Sequence, residues 1–227
     1  MIKLLFVDFY GTLVEEDDII VSSIIENIVN NSDIKNINKK DIGQYWWKEF
    51  ISLCNIHNGN NFLLQKEIEY ISLNNTAKYF QSNININNEL EKMFNYWKNP
   101  KIFTDTLLFL KKIKLPIIIV SNIDNKEIYE AIKNNNINIE NIVTSEDTLY
   151  YKPNENMFKI AMDKNKLNAN EIIHIGDSLS NDIIGANNVN IKSIWINRNN
   201  KQNNTNVNPN LIVNNLSEII ENINKLL

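Results

Sequence analysis

Lys3-Leu4-Leu5-Phe6-Val7-Asp8-Phe9-Tyr10-Gly11-Thr12-Leu13 is the stretch from which the rest of the 227-residue chain is read. An apolar run that ends in an acid and a turn-forming glycine predicts a buried strand, Lys3 to Val7, delivering a polar loop at its C-terminal end. Beyond it the pattern changes. From about Asp17 to Trp97, apolar residues recur at helical spacing: Ile20, Ile24, Ile25 and Ile28, then Tyr45, Trp46 and Ile51, then Leu64, Ile68 and Ile71. This predicts an all-helical insertion of several helices.

From about Lys101 strands and helices alternate. Helices are predicted at Thr106 to Ile113, Asn125 to Asn134, Glu155 to Asn165, Leu179 to Asn187 and Leu216 to Leu226. Strands are predicted at Pro116 to Val120, Ile142 to Thr144, Ile172 to Ile175, Ile191 to Ile196 and Leu211 to Val213. Strands that are apolar almost throughout belong to a parallel sheet covered on both faces, so the expected class is α/β and doubly wound, with ligands at the C-terminal strand ends. Asn199 to Asn210 reads as a surface loop.

Composition narrows the function. With 43% hydrophobic and 22% charged residues, the chain can bury a real core. A single cysteine, Cys54, excludes an internal disulfide or a cysteine zinc site. No apolar run approaches the roughly 18 to 20 residues of a membrane span. The N-terminal run meets Asp8 too soon for a signal peptide, so the expected location is cytoplasmic. A net charge of −4 with scattered lysines and one arginine, Arg198, offers no basic stripe for nucleic acid. Asparagine, about a fifth of the residues, is interleaved with isoleucine at structured spacings and reads as codon bias rather than as a prion-like segment.

Four clusters follow four predicted parallel strands and so converge at one end of the sheet. The first is Asp8-Phe9-Tyr10-Gly11-Thr12, with a glycine allowing a tight turn whose amides face a cleft. The second, Ser121-Asn122, places a hydroxyl and an amide to hydrogen-bond an oxyanion. The third is Lys152-Pro153, after Ser145-Glu146. The fourth is Gly176-Asp177-Ser178, with Asn181-Asp182 and Gly185-Ala186 behind it. His174, inside an apolar strand, reads as a core or supporting histidine. Tyr45, Trp46, Trp47 and Trp97 read as packing within the insertion, with a substrate-facing aromatic wall as the alternative.

In order and placement these clusters resemble the haloacid dehalogenase (HAD) superfamily of aspartate-nucleophile hydrolases. The resemblance implies a Rossmann-like core, residues 1–14 and 98–227, and a type I helical cap, residues 15–97, that closes over the site. It makes Asp8 the nucleophile, with Gly11, Thr12, Ser121, Asn122 and Lys152 holding phosphoryl oxygens. It also implies Mg²⁺ bound by Asp8, the carbonyl of Tyr10 and Asp177, with Asp182 holding the metal's waters. The expected substrate is a small phosphorylated metabolite, the expected assembly a monomer or homodimer.

One position departs from the phosphatase pattern. Phosphatases of the superfamily carry a second aspartate two residues after the nucleophile, where this chain has Tyr10. A phenol can donate a proton but is a poor base near neutrality. Asp-x-Tyr-Gly-Thr is instead similar to the first motif of the L-2-haloacid dehalogenases. Against that reading, Arg198 lies after the last motif rather than near the cap, and Asp177 keeps a metal-ligating acid in the fourth cluster. Phosphatase is the favoured expectation, dehalogenase the alternative, and a weakly active phosphate-binding protein the third.

Overall fold

A computed structural model describes residues 1–203 and 205–223 of the chain. Six strands form one parallel sheet: β1 (Leu4–Val7), β2 (Ile117–Ser121), β3 (Ile142–Thr144), β4 (Ile172–Gly176), β5 (Lys192–Ile196) and β6 (Leu211–Val213). Their order is β3-β2-β1-β4-β5-β6. The chain builds outward on one side of β1 and then on the other, and such a reversal opens a crevice beyond the C-terminal strand ends. Register aligns those ends: Val7 pairs with Ile119 of β2 and Ile175 of β4, and Ser121 with Thr144 of β3. The loops carrying the four clusters therefore leave the sheet side by side.

Successive strand residues point to opposite faces, so each face buries its own cluster. Leu5, Val7, Ile119, Ile175 and Ile194 pack with Phe109, Ile128 and Leu216, from helices α5 (Thr106–Lys112), α6 (Asn125–Asn134) and α10 (Leu216–Asn222). Leu4, Phe6, Ile118, Val120 and Ile172 pack with Met157, Phe158 and Ala186 on the other face, from α8 (Glu155–Asn165) and α9 (Ile184–Asn188). The short α7 (Ser145–Thr148) follows β3 directly.

Between β1 and α5 lie the four helices of the insertion, α1 (Asp18–Asn30), α2 (Lys39–Ile56), α3 (Gln65–Tyr79) and α4 (Ile86–Lys98). Their buried residues, Ile24, Ile28, Ile42, Trp46, Leu73, Leu90, Met93 and Trp97, join the same apolar cluster as the first sheet face. Each such side chain contributes roughly 1.5 to 3 kcal/mol on burial. Polar ties from the sheet loops reinforce the seam. Asp124 accepts hydrogen bonds from the backbone of Gln65 (2.7 Å) and Lys66 (3.2 Å) at the start of α3. Tyr151 donates its hydroxyl to the Leu63 carbonyl (2.7 Å) and its amide to Asn58 (2.9 Å).

Asparagine has structural work here beyond codon bias. Asn38, Asn85, Asn154 and Asn215 cap helix N-termini with their side chains, a role their short amide suits. Asn36, Asn136, Asn190 and Asn200 take left-handed backbone angles.

Two sequence expectations change. The helix expected from Leu179 to Asn187 opens as a π-helical turn, Leu179–Ile183, before α9. The closing helix extends to Asn222, and residues 224–226 of the expected span lie outside the described residues. No helix among the described residues is long and apolar enough to cross a membrane.

Candidate active site

Asp8 is the first residue beyond β1 and is 6% exposed. Lys152, 4% exposed, reaches it from the loop before α8. The Lys152 ammonium donates to Asp8 Oδ1 (2.6 Å), Asp182 Oδ1 (2.6 Å) and the Val120 carbonyl (2.9 Å). Three acceptors match its three protons, so this lysine has one position. Burial works to discharge the ammonium, but Asp182 and Asp8 override it and hold the lysine charged. Burial would likewise raise Asp182, yet Lys152 and His174 keep it below the usual carboxylate range. Asp8 moves the other way: burial outweighs Lys152 and raises it.

His174 Nε2 is hydrogen-bonded to Asp182 Oδ1 (2.9 Å), and the Ser178 amide donates to Asp182 Oδ2 (3.0 Å). The strand histidine thus supports an acid of the site. Asp177 has no comparable partner among the described residues, with Lys201 the only cation that lowers it. Burial, then Glu16, Asp182 and Asp8, push it well above the usual carboxylate range.

Asp8, Asp177 and Asp182 each offer a carboxylate oxygen within 4.8 Å of the others. Three acids against one lysine leave negative charge that a hard cation would neutralise, and oxygen donors suit Mg²⁺. Two glycines make room for these carboxylates. Gly11 sits at φ +81°, and a Cβ there would lie 2.6 to 2.8 Å from the Asp177 carboxyl group. A Cβ on Gly176 would overlap the Asp182 carboxylate. The turn over Phe9 to Val14 also leaves the Tyr10 carbonyl without a hydrogen bond from any described residue. The residues present therefore fit a bound Mg²⁺.

The remaining expected site residues divide. Thr12 is buried, with Oγ1 3.4 Å from Asp8 Oδ2, and Ser121, at the end of β2, lines a cavity together with Asp8 and Lys152. Asn122 does different work from the oxyanion contact expected of it. Its amide donates to the Lys152 carbonyl (3.1 Å) and accepts from the Lys152 N–H (2.7 Å), fixing the lysine's backbone. Tyr10 also departs from expectation. Its hydroxyl donates to the Trp97 carbonyl at 2.6 Å, at the end of α4, and burial raises it further from ionisation. The phenolic proton is committed there.

Arg198 forks onto Asp105 (3.0 and 3.2 Å), donates to the Thr12 carbonyl (3.0 Å) and stacks on Phe103. It braces the Asp8 loop and lines a separate cavity with Gly11, Glu16, Asp177 and Lys201, not the one shared by Asp8 and Lys152.

A cavity of about 170 Å³ lies above Asp8, roofed by the insertion. Glu16, Asp17, Trp47, Phe50, Gln65 and Glu69 contribute to it, none of them expected from sequence as site residues. Trp47, expected in packing, is 57% exposed, whereas Trp46 and Trp97 are buried as expected. Helical periodicity marks which residues leave solvent and is silent on whether they meet a core or a cavity. Among the described residues, six carboxylates line this space, from Asp8, Glu16, Asp17, Glu69, Asp177 and Asp182, against Lys152 as the one lysine or arginine.

A family model described as haloacid dehalogenase-like hydrolase matches residues 4–196. Solved structures share the fold. An L-2-haloacid dehalogenase from Xanthobacter autotrophicus is 14% identical at TM-score 0.79, covering 100% of both chains. A HAD-hydrolase from Bacillus subtilis, bound to magnesium, is 18% identical at TM-score 0.74, covering 98% of this chain and 99% of its own. A HAD phosphatase from Thermococcus onnurineus is 19% identical at TM-score 0.63, covering 98% of both. No curated protein matches the chain by sequence.

Proposed function

We propose a reaction from one premise: the chain belongs to the haloacid dehalogenase-like hydrolase family. The reading is a Mg²⁺-dependent phosphatase acting on a small phosphorylated metabolite through a phosphorylated Asp8. Residues 1–14 and 98–227 form its catalytic core and residues 15–97 a cap that selects substrate. The observation that carries it is the cluster of Asp8, Asp177 and Asp182, in which Lys152 pairs with two acids and leaves Asp177 to a metal. The magnesium-bound family member supports the same reading.

Asp8, Asp177 and the Tyr10 carbonyl would hold the ion, with Asp182 on its waters. When bound it would supply positive charge that keeps the carboxylates ionised and draws phosphoryl oxygens toward Asp8.

The chain's own residues do the rest. A carboxylate oxygen of Asp8 attacks phosphorus, and the bond to the leaving oxygen breaks with its electron pair departing on that oxygen. Lys152, fixed by Asn122 and three acceptors, and Thr12 and Ser121 meet the phosphoryl oxygens. Water then attacks the same phosphorus and yields its proton to solvent, the Asp8–phosphorus bond breaks with its electron pair returning to the carboxylate, and phosphate leaves. Because Tyr10 donates to Trp97, no proton comes from it, and leaving groups that depart as stable anions are favoured.

The dehalogenase alternative rests on the Asp-x-Tyr-Gly-Thr motif and on neighbours such as the Xanthobacter enzyme. A 2-haloacid needs a cation for its carboxylate, yet the cavity is walled by acids and Arg198 is bound to Asp105.

The test measures phosphate release from acetyl phosphate, p-nitrophenyl phosphate and alkyl phosphates, and halide release from 2-chloropropionate, with Mg²⁺ or EDTA. The phosphatase reading expects phosphate release that needs Mg²⁺ and falls at least about 10³-fold in Asp8→Asn. Halide release in EDTA would overturn it.

A further inference from the structure

We infer that the cap holds a subsite for an organic cation, and that the alcohol released from the phosphate ester carries an ammonium group. The reaction rests on the phosphatase reading above; the subsite rests on the cap's own geometry. Beside the cavity above Asp8 lies a second, of about 120 Å³, reaching into the cap. The two share Asp17, Trp47, Phe50 and Glu69, and the second is also lined by Trp46 and Met93.

Glu69 is 8% exposed, and no lysine, arginine or histidine pairs with it among the described residues. Trp46 and Ser72 lie next to it as hydrogen-bond donors that favour its carboxylate, though each also serves a neighbour. Trp46 donates its indole N–H to Ser72 Oγ (3.1 Å), and Ser72 Oγ donates to the Glu69 backbone carbonyl (3.1 Å). Burial, and then Asp17, push Glu69 well above the usual carboxylate range. Asp17 brings a second acid, one of whose oxygens accepts the Trp97 indole N–H at 2.7 Å. Without a counter-ion such a group keeps its proton, and a cation entering the cavity beside it would favour the carboxylate and pair with it.

The walls say which cation. Trp47 and Phe50 stack with centroids 5.8 Å apart, and such π faces attract ammonium groups. A hard metal ion would instead need several oxygen donors. Since the two cavities adjoin, a short ligand can place its phosphoryl group at Asp8 and its ammonium at Glu69. That ammonium also stabilises the departing alkoxide, which assists a site whose Tyr10 proton is held elsewhere.

Two measurements on the full chain test this. The first compares kcat/KM in Mg²⁺ for 2-aminoethyl phosphate and its neutral isostere propyl phosphate, with acetyl phosphate reporting separately whether the phosphatase reading holds. We expect the ammonium substrate to lead by at least about tenfold, and Glu69→Gln or Asp17→Asn to cut that ratio to about threefold or less. A ratio near one in the parent chain, with acetyl phosphate hydrolysed, would overturn the subsite alone. The second follows tryptophan fluorescence with propylammonium chloride against 1-propanol at constant ionic strength. A saturable response to the ammonium only, lost in Glu69→Gln, supports the subsite. Equal responses, or none, would overturn it even if no phosphate ester is turned over.

Discussion

Tyr10 stands where a phosphatase of this family would carry its proton-handling aspartate, and its hydroxyl is 2.6 Å from the Trp97 carbonyl. The residue therefore joins the loop after β1 to α4. Tyr10→Phe should cost about 1 to 2 kcal/mol of stability, because it leaves that carbonyl unpaired, yet keep kcat for p-nitrophenyl phosphate within about threefold. A loss of about 100-fold with the fold intact would return the phenol to the chemistry. Asp8, Lys152, Asp177 and Asp182 were readable in sequence only together, through the order and placement of four clusters that resemble the family's, since each alone also fits an ordinary turn or cap. Asn122 was legible in position but not in role, since an amide after a strand binds a ligand or a neighbouring peptide with equal ease. Glu69 and Trp47 were not legible, because a helical stripe reads the same over a core and over a cavity.

At the scale of elements, α3 is held to the sheet through Asp124, which accepts two amides at the helix start. Burial raises this carboxyl from 3.8 to about 6, although the Gln65 and Lys66 amides pull it down. The folded chain thus holds the proton more tightly than the unfolded chain does. Stability contributed by Asp124 is fully present below about pH 4 and is lost as pH rises through about 6. Thermal denaturation of the parent and Asp124→Asn should show the parent gaining, relative to the variant, up to about 3 kcal/mol between pH 7 and pH 4. The opposite trend would mean that the helix N-terminus favours the charged carboxylate more than burial opposes it. Nothing in sequence marked Asp124, which precedes an ordinary helix. The π turn after β4 was equally hidden, because its residues carry the same apolar spacing as the α-helix they enter.

At the scale of the molecule, the alternation of apolar strands with helices was enough to predict a doubly wound sheet. The observed strand order then brings four separated clusters to one crevice. What the sequence left open is the inner surface of the helical insertion, and with it the charge of the cavity. A site so rich in carboxylates should gain stability from the ion it is built around. Mg²⁺ at about 100 times its Kd should add about 3 kcal/mol to unfolding, and Asp177→Asn should lose most of that gain. An unchanged melting temperature in Mg²⁺ would count against a metal held by these three acids.

The most direct test of phosphoryl transfer at Asp8 is mass analysis of the chain, acid-quenched during turnover of acetyl phosphate in Mg²⁺. The peptide containing Asp8 should gain one phosphoryl group, removed by hydroxylamine and absent in EDTA. An unmodified Asp8 peptide, with turnover of 2-chloropropionate in heavy-oxygen water placing the label in the Asp8 carboxylate, would contradict phosphoryl transfer and establish displacement at carbon.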